Sequence, residues 1–149
     1  MKIFGIIPAR MAASRFPGKP LKLIKGKPML EHVFERAKNY KKWNSLIIAT
    51  CDEEIKRFSQ VKRYKYVMTS KKHKRCLDRV LEATNKLNEK LSKNDIIVCV
   101  QGDEPMLHPR MIEAVVNPFL KNKKIAATVL AMQIIHYSQY INPDIVKIV

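Results

Sequence analysis

The feature that most constrains this chain is a series of short, β-branched apolar runs separated by stretches of helical periodicity. Ile3–Ile7, Leu46–Thr50 and Ile96–Val100 are apolar almost throughout. Runs that do not alternate with polar residues predict strands buried on both faces. Tyr64–Met68 predicts another strand, Ile125–Ile135 a long one, and Ile145–Val149 a last one. Between them, Pro28–Tyr40 places Leu30, Val33, Phe34, Ala37 and Tyr40 on one helical face. Glu53–Phe58 predicts a short helix. Leu77, Val80, Leu81, Thr84, Leu87 and Leu91 recur at helical spacing until Asn94–Asp95 ends the element. A further helix starts near Pro109, well placed as a first-turn proline, with Met111, Ile112, Val115 and Val116 inward. Met29, Met68 and Met106 are expected, like Met111, to fill the core.

Strand and helix in alternation predict an α/β fold with a mostly parallel sheet and helices on both faces. The 149 residues make one domain. The run Ile145–Val149 stands with nothing after it to complete it, so the sheet is expected to be incomplete at its carboxyl end.

Charge and cysteine content narrow the function classes. The net charge of +16 invites a nucleic-acid reading. The lysines, however, are scattered through Lys38–Lys42, Lys71–Lys74 and Lys121–Lys124 with no interleaved aromatic platforms. They are read as a solvated surface, and a nucleoside triphosphate would satisfy the remaining excess as well as RNA would. Cys51, Cys76 and Cys99 form no CxxC pair, which argues against a zinc site or disulfide framework and for a reducing compartment. His32, His108 and His136 make no metal pair by spacing; they read as helix-surface, loop and strand-end residues. Tyr137 and Tyr140 read as packing or edge residues. No run approaches the ~20 apolar residues of a membrane helix, and Pro8 and Arg10 interrupt the first apolar stretch. A cytoplasmic protein without membrane contact is expected.

In sheets of this kind ligands bind beyond the carboxyl ends of the strands, which singles out two loops. The first, Pro8–Pro20, carries Arg10, Arg15 and Lys19 with Ser14, Gly18 and the small residues Ala9, Ala12 and Ala13. Guanidinium and ammonium groups there can bind a triphosphate and stabilise charge on departing pyrophosphate. A solvated basic loop is the plainer alternative; its place at the ligand edge favours phosphate. Neither GxxxxGK[ST] nor GxGxxG is present. The second loop, Gln101-Gly-Asp-Glu-Pro105, ends the strand Ile96–Val100. Asp103 suits either a turn or a Mg²⁺ ion carried by phosphates; Glu104 reads as a carboxylate ordering the turn.

The string IIPARMAASRFPGKPL resembles the signature of the sugar-nucleotide cytidylyltransferases. The resemblance continues through GKPML and ERA within Gly26–Ala37, IIATCDEEI at Ile47–Ile55, VQGDEPM at Val100–Met106 and NPDIVKIV at Asn142–Val149. The QGDEP string is similar to that of the 3-deoxy-manno-octulosonate (Kdo) cytidylyltransferases. The resemblance implies a Rossmann-like nucleotidyltransferase sheet that transfers CMP from CTP to a sugar acid, in lipopolysaccharide biosynthesis. It implies Arg10, Arg15 and Lys19 as catalytic residues and Asp103 as the Mg²⁺ ligand. Pro8, Ala9, Arg10, Ser14, Lys19, His73, Asp78, Arg79 and Gln101 are the implied nucleotide contacts. It also implies a homodimer, and a longer protein of which this is the amino-terminal part. The rest would bring a further metal-binding aspartate and most sugar contacts, so this stretch alone is expected to be inactive.

One segment departs from the family pattern. Where Kdo enzymes carry HxSGT-[ED]-R, this chain has His73-Lys-Arg-Cys-Leu-Asp-Arg79, with Arg75-Cys76-Leu77 replacing Ser-Gly-Thr. Asp78 and Arg79 also suit a first-turn acid and a helix-surface arginine. Two other readings stay open: a nucleotidyltransferase with a different nucleotide or acceptor, and a non-catalytic basic module that binds nucleic acid.

Overall fold

The computed structural model of the chain describes residues 1–12 and 16–148. From the amino end the elements are β1 (Ile3–Ala9), a 3-10 turn (Lys19–Leu21), and a two-stranded antiparallel ribbon of β2 (Leu23–Ile24) and β3 (Lys27–Pro28). Then come α1 (Met29–Lys38), β4 (Ser45–Thr50), α2 (Glu53–Val61), β5 (Tyr66–Met68), α3 (Cys76–Asn85), β6 (Ile96–Cys99), α4 (Pro109–Lys121) and α5 (Tyr137–Ile141). Four strands pair in parallel in the order β5-β4-β1-β6.

Strand pleating sorts the side chains between two layers. From β1, Ile3, Ile7 and Ala9 face a large core with Leu46 and Ile48 of β4 and Ile96 and Val98 of β6. α1, α2 and α4 cover that face through Leu30, Val33, Phe34, Ile55, Ile112 and Val116. Ile6 and Ala49 face the other way, where Val80 and Ala83 of α3 meet them beside Ile97 and Cys99. Helices on both faces explain why these strands read as unbroken apolar runs. Burial also pushes the Cys99 thiol up to about 12, which keeps it protonated as a core residue.

Several expectations need correction. Ile125–Ile135 is not a strand, and neither is Ile145–Ile148; Val149 lies outside the described residues. Among the described residues, neither run is hydrogen-bonded into the sheet, whose order ends at β6. Residues 125–148 instead hold α5, which His136 precedes as its cap rather than as a strand end. Tyr137 and Tyr140 are exposed and stack on each other at 6.2 Å.

α3 stops at Asn85, well before Asn94–Asp95. The Asp95 carboxylate accepts from the Ser92 N–H at 2.8 Å and the Lys2 N–H at 2.7 Å, forming the turn that delivers the chain to β6 beside β1. Leu77 and Leu81 are exposed because α3 turns Val80 and Ala83 to the sheet. Met29 is buried, whereas Met106 and Met111 are exposed. Among the described residues no helix is long and apolar enough to cross a membrane.

Candidate active site

The chain leaves the centre of the sheet in two directions. After β1 it builds outward through β4 and β5, and it returns on the other side of β1 as β6. The carboxyl ends of β1 and β6 are therefore neighbours at a topological switch point, where a crevice opens. The registers Gly5↔Val98 and Ile6↔Cys99 bring Pro8–Arg10 beside Gln101–Asp103. Gly102 makes the closeness possible. A Cβ at this position would lie 2.5 Å from the Pro8 carbonyl oxygen, so only glycine fits the seam.

The described ends of the first loop are tied down. The Met11 N–H donates to Asp52 Oδ2 at 2.8 Å, anchoring the loop to the segment between β4 and α2. The Gly18 N–H donates to the Met11 carbonyl at 2.9 Å. Gly18 has φ 72°, a left-handed conformation that costs glycine little, and it starts the 3-10 turn headed by Lys19. Lys19 Nζ then reaches Asp103 Oδ2 at 2.9 Å, joining the basic loop to the acidic one. Both side chains are partly exposed, so the pair adds little to stability. Its value is positional.

A cleft of about 600 Å³ opens over this seam. Of the expected site residues, Pro8, Ala9, Arg10, Lys19, His73, Arg79, Gln101 and Asp103 all line it. Asp78 does not: it is exposed in the first turn of α3, where a carboxylate suits the helix dipole. Ser14 and Arg15 lie outside the described residues.

Arg79 is 3% exposed and serves the wall more than the opening. Its guanidinium donates to the Thr69 hydroxyl and, at 3.4 Å, to the Ser70 carbonyl. The loop between β5 and α3 adds Lys74 and Arg75 to the cleft, and the first residue of α3 adds Cys76. The lysines within Lys71–Lys74 were read as solvated surface; they are exposed, and Lys74 also lines the cleft. Its only signal was its place two residues before a helix that follows a strand. Phe16, Pro20 and Met29 complete the lining. No spacing rule could reveal Met29, because it enters through the packing of α1.

The charge of the cleft is lopsided. Among the described residues, Arg10, Lys19, Lys74, Arg75 and Arg79 line the cleft together with one carboxylate, Asp103. A polyanion gains from several donors at once there, and a cation gains from Asp103 only alongside that anion. Among the described residues no three His, Cys, Asp or Glu side chains gather as a self-sufficient metal cage. One carboxylate with oxygen donors from phosphate and water is nonetheless an ordinary Mg²⁺ environment, so the residues present fit a nucleotide-borne ion.

Comparisons with known proteins agree with this geometry. A family model described as cytidylyltransferase matches residues 4–149. The chain is 39% identical, over 97% of its length, to the 3-deoxy-manno-octulosonate cytidylyltransferase of Thermodesulfovibrio yellowstonii. It is 41% identical, over its whole length, to that of Cellvibrio japonicus. It spans 57% of each of those relatives. Among solved structures, CMP:2-keto-3-deoxy-manno-octonic acid synthetase complexed with CTP superposes with a TM-score of 0.75 at 35% identity. The match covers 84% of this chain and 50% of that one. A cytidylyltransferase from Leptospira borgpetersenii follows with a TM-score of 0.68 at 25% identity, over 83% of this chain and 51% of its own. With the switch-point cleft, the Lys19–Asp103 seam and a match over nearly every residue in agreement, the chain belongs to the cytidylyltransferase family.

Proposed function

We propose that this chain carries the CTP-binding half of an enzyme that transfers CMP to a sugar acid, Kdo or a related 3-deoxy-octulosonate, with release of pyrophosphate. The observation that carries the reading is the Lys19–Asp103 contact at 2.9 Å across the mouth of a basic cleft. A magnesium triphosphate offers each of these groups a better partner. Phosphate oxygens suit Lys19 and Arg10, and the divalent ion suits Asp103. The names of the relatives and the CTP in a structural neighbour supply the nucleotide and acceptor classes.

In this proposal a sugar hydroxyl oxygen forms a bond to the α-phosphorus of CTP. The bond from that phosphorus to the bridging oxygen breaks, pyrophosphate departs, and the hydroxyl proton passes to solvent. Arg10, Arg15 and Lys19 hold the triphosphate and stabilise charge on the leaving group, so positioning and electrostatics carry the rate. Bound Mg²⁺ would offset phosphate charge. Pro8, Ala9, Ser14, Gln101, His73 and Arg79 are assigned to the nucleotide, with Arg79 acting through the wall it holds. A cytoplasmic homodimer belongs to the same proposal.

The test is pyrophosphate release from CTP with Kdo and Mg²⁺ in the full-length protein. Lys19→Ala should lower turnover by ~10²–10³, the usual loss for one charge-stabilising donor. Asp103→Asn keeps the shape and removes the charge, so Mg²⁺ dependence should vanish with activity. Wild-type rates in both variants would overturn the assignment.

A further inference from the structure

The wall of the cleft contributed by the loop after β5 has almost no regular structure to hold it. Thr69 is the last residue of this stretch tied through its backbone to the sheet, its N–H donating to the Thr50 carbonyl at 2.7 Å. From Ser70 to Arg75 side chains take over. The Lys72 N–H donates to the Ser70 hydroxyl at 3.1 Å. The Ser70 N–H donates to Glu82 Oε2 at 2.8 Å, and His73 Nε2 contacts the same oxygen. Glu82 Oε1 accepts from Lys86 Nζ at 2.6 Å, and Lys86 also donates to the Met68 carbonyl at 3.0 Å. One carboxylate on α3, outside the cleft lining, thus ties the start of the loop at Ser70 to His73, which lines the cleft.

We propose that Glu82 is a positioning residue that presets His73 for the nucleoside half of the bound nucleotide. A carboxylate only accepts hydrogen bonds, so the imidazole must carry a proton on Nε2. Nδ1 is then the ring nitrogen left for the cleft, where a neutral ring presents it as an acceptor. Lys86, Ser70 and His73 together hold the Glu82 carboxyl down at about 2, so it stays ionised in neutral solution. The second tie, from Arg79 to Thr69 and Ser70, fixes the start of the loop but leaves the orientation of His73 to Glu82.

The inference rests on the CTP reading, and its test separates the two. Calorimetric titration of this chain with Mg²⁺–CTP and with Mg²⁺–tripolyphosphate compares nucleoside and phosphate recognition. Glu82→Ala should weaken CTP about tenfold, as expected for losing a hydrogen bond to a charged group, and weaken tripolyphosphate less, since Lys74 and Arg75 share the loop. Glu82→Gln, whose amide oxygen still accepts from Ser70 and His73, should recover most of the CTP affinity. Equal losses for both ligands, or none, would overturn the proposal. A wild-type chain that bound neither ligand would sink the CTP reading instead. Nitrogen NMR of the His73 ring needs no ligand and no variant. A proton on Nε2 is expected, and a proton on Nδ1 alone overturns the assignment.

Discussion

Residues 3–121 and residues 122–148 contain similar apolar side chains and differ in what their backbones are bonded to. In the first region β1 lies between two partners and its apolar residues are sealed between helices. In the second, the backbone joins no ladder, and Val129, Met132, Ile135 and Val146 all stand exposed. The tail touches the body through isolated contacts such as the Thr128 hydroxyl donating to the Val115 carbonyl at 2.7 Å. The difference teaches that apolar content alone does not make a strand, and that pairing completes it. The site follows the same division. Every described residue lining the cleft belongs to the body.

The sharpest way to break this contrast is to remove a core side chain. Leu30 is completely buried between α1 and the sheet. Leu30→Ala should cost about 2–5 kcal/mol in urea unfolding, since a cavity adds to the lost transfer energy. A cost below 1 kcal/mol would mean that the body is as loosely held as the tail.

Next in size is the seam between the two loops. In Gly102→Ala the new methyl meets the Pro8 carbonyl, which is backbone and cannot swing aside. A destabilisation of about 1–3 kcal/mol is expected, with weakened CTP binding because the Lys19–Asp103 spacing opens. Unchanged stability and affinity would show that the seam tolerates separation.

Acid should act on the body more weakly and in a defined window. Lys86, the Ser70 N–H and His73 lower the Glu82 carboxyl from 4.5 to about 2. A depressed folded-state value means the stabilisation is complete above 4.5 and is lost as pH falls toward 2. Unfolding free energies at several pH values should therefore decline through that window in wild type and less steeply in Glu82→Gln. Parallel slopes would remove Glu82 from the account.

The smallest effect belongs to the tail. Met132 is 94% exposed, and Met132→Ala should change stability by no more than about 0.5 kcal/mol, as exposed substitutions do. Limited proteolysis should cut between residues 122 and 148 before it cuts the body. A core-sized penalty at Met132 would show that the tail is packed in solution.

Much of the fold was legible because its signals are local. Ile3–Ile7, Leu46–Thr50 and Ile96–Val100 each advertise a two-sided burial that only a covered parallel sheet provides. The loops that end the first and last of these runs followed from the strand-end rule, and Arg10, Lys19, Gln101 and Asp103 were found there. Asp78 was placed by likeness to a motif, and the helix it starts carries it away from the opening. Lys74 was missed because one lysine in a run of lysines has no distinguishing pattern. Glu82 was missed because nothing in its sequence neighbourhood says that a carboxylate on a helix receives a backbone N–H from the preceding loop.

The amino-acid sequence by itself determined the alternation of elements, the apolar faces and the chemistry of the two loops, since each depends on residues a few positions apart. Tertiary structure alone decided which runs became strands and which charges met. Lys19 and Asp103 stand 84 positions apart and touch only because β1 and β6 are neighbours. Ile125–Ile135 has the composition of a strand, yet among the described residues it pairs with none. A strand is completed by hydrogen bonds to another segment, and no local pattern encodes the presence of that segment.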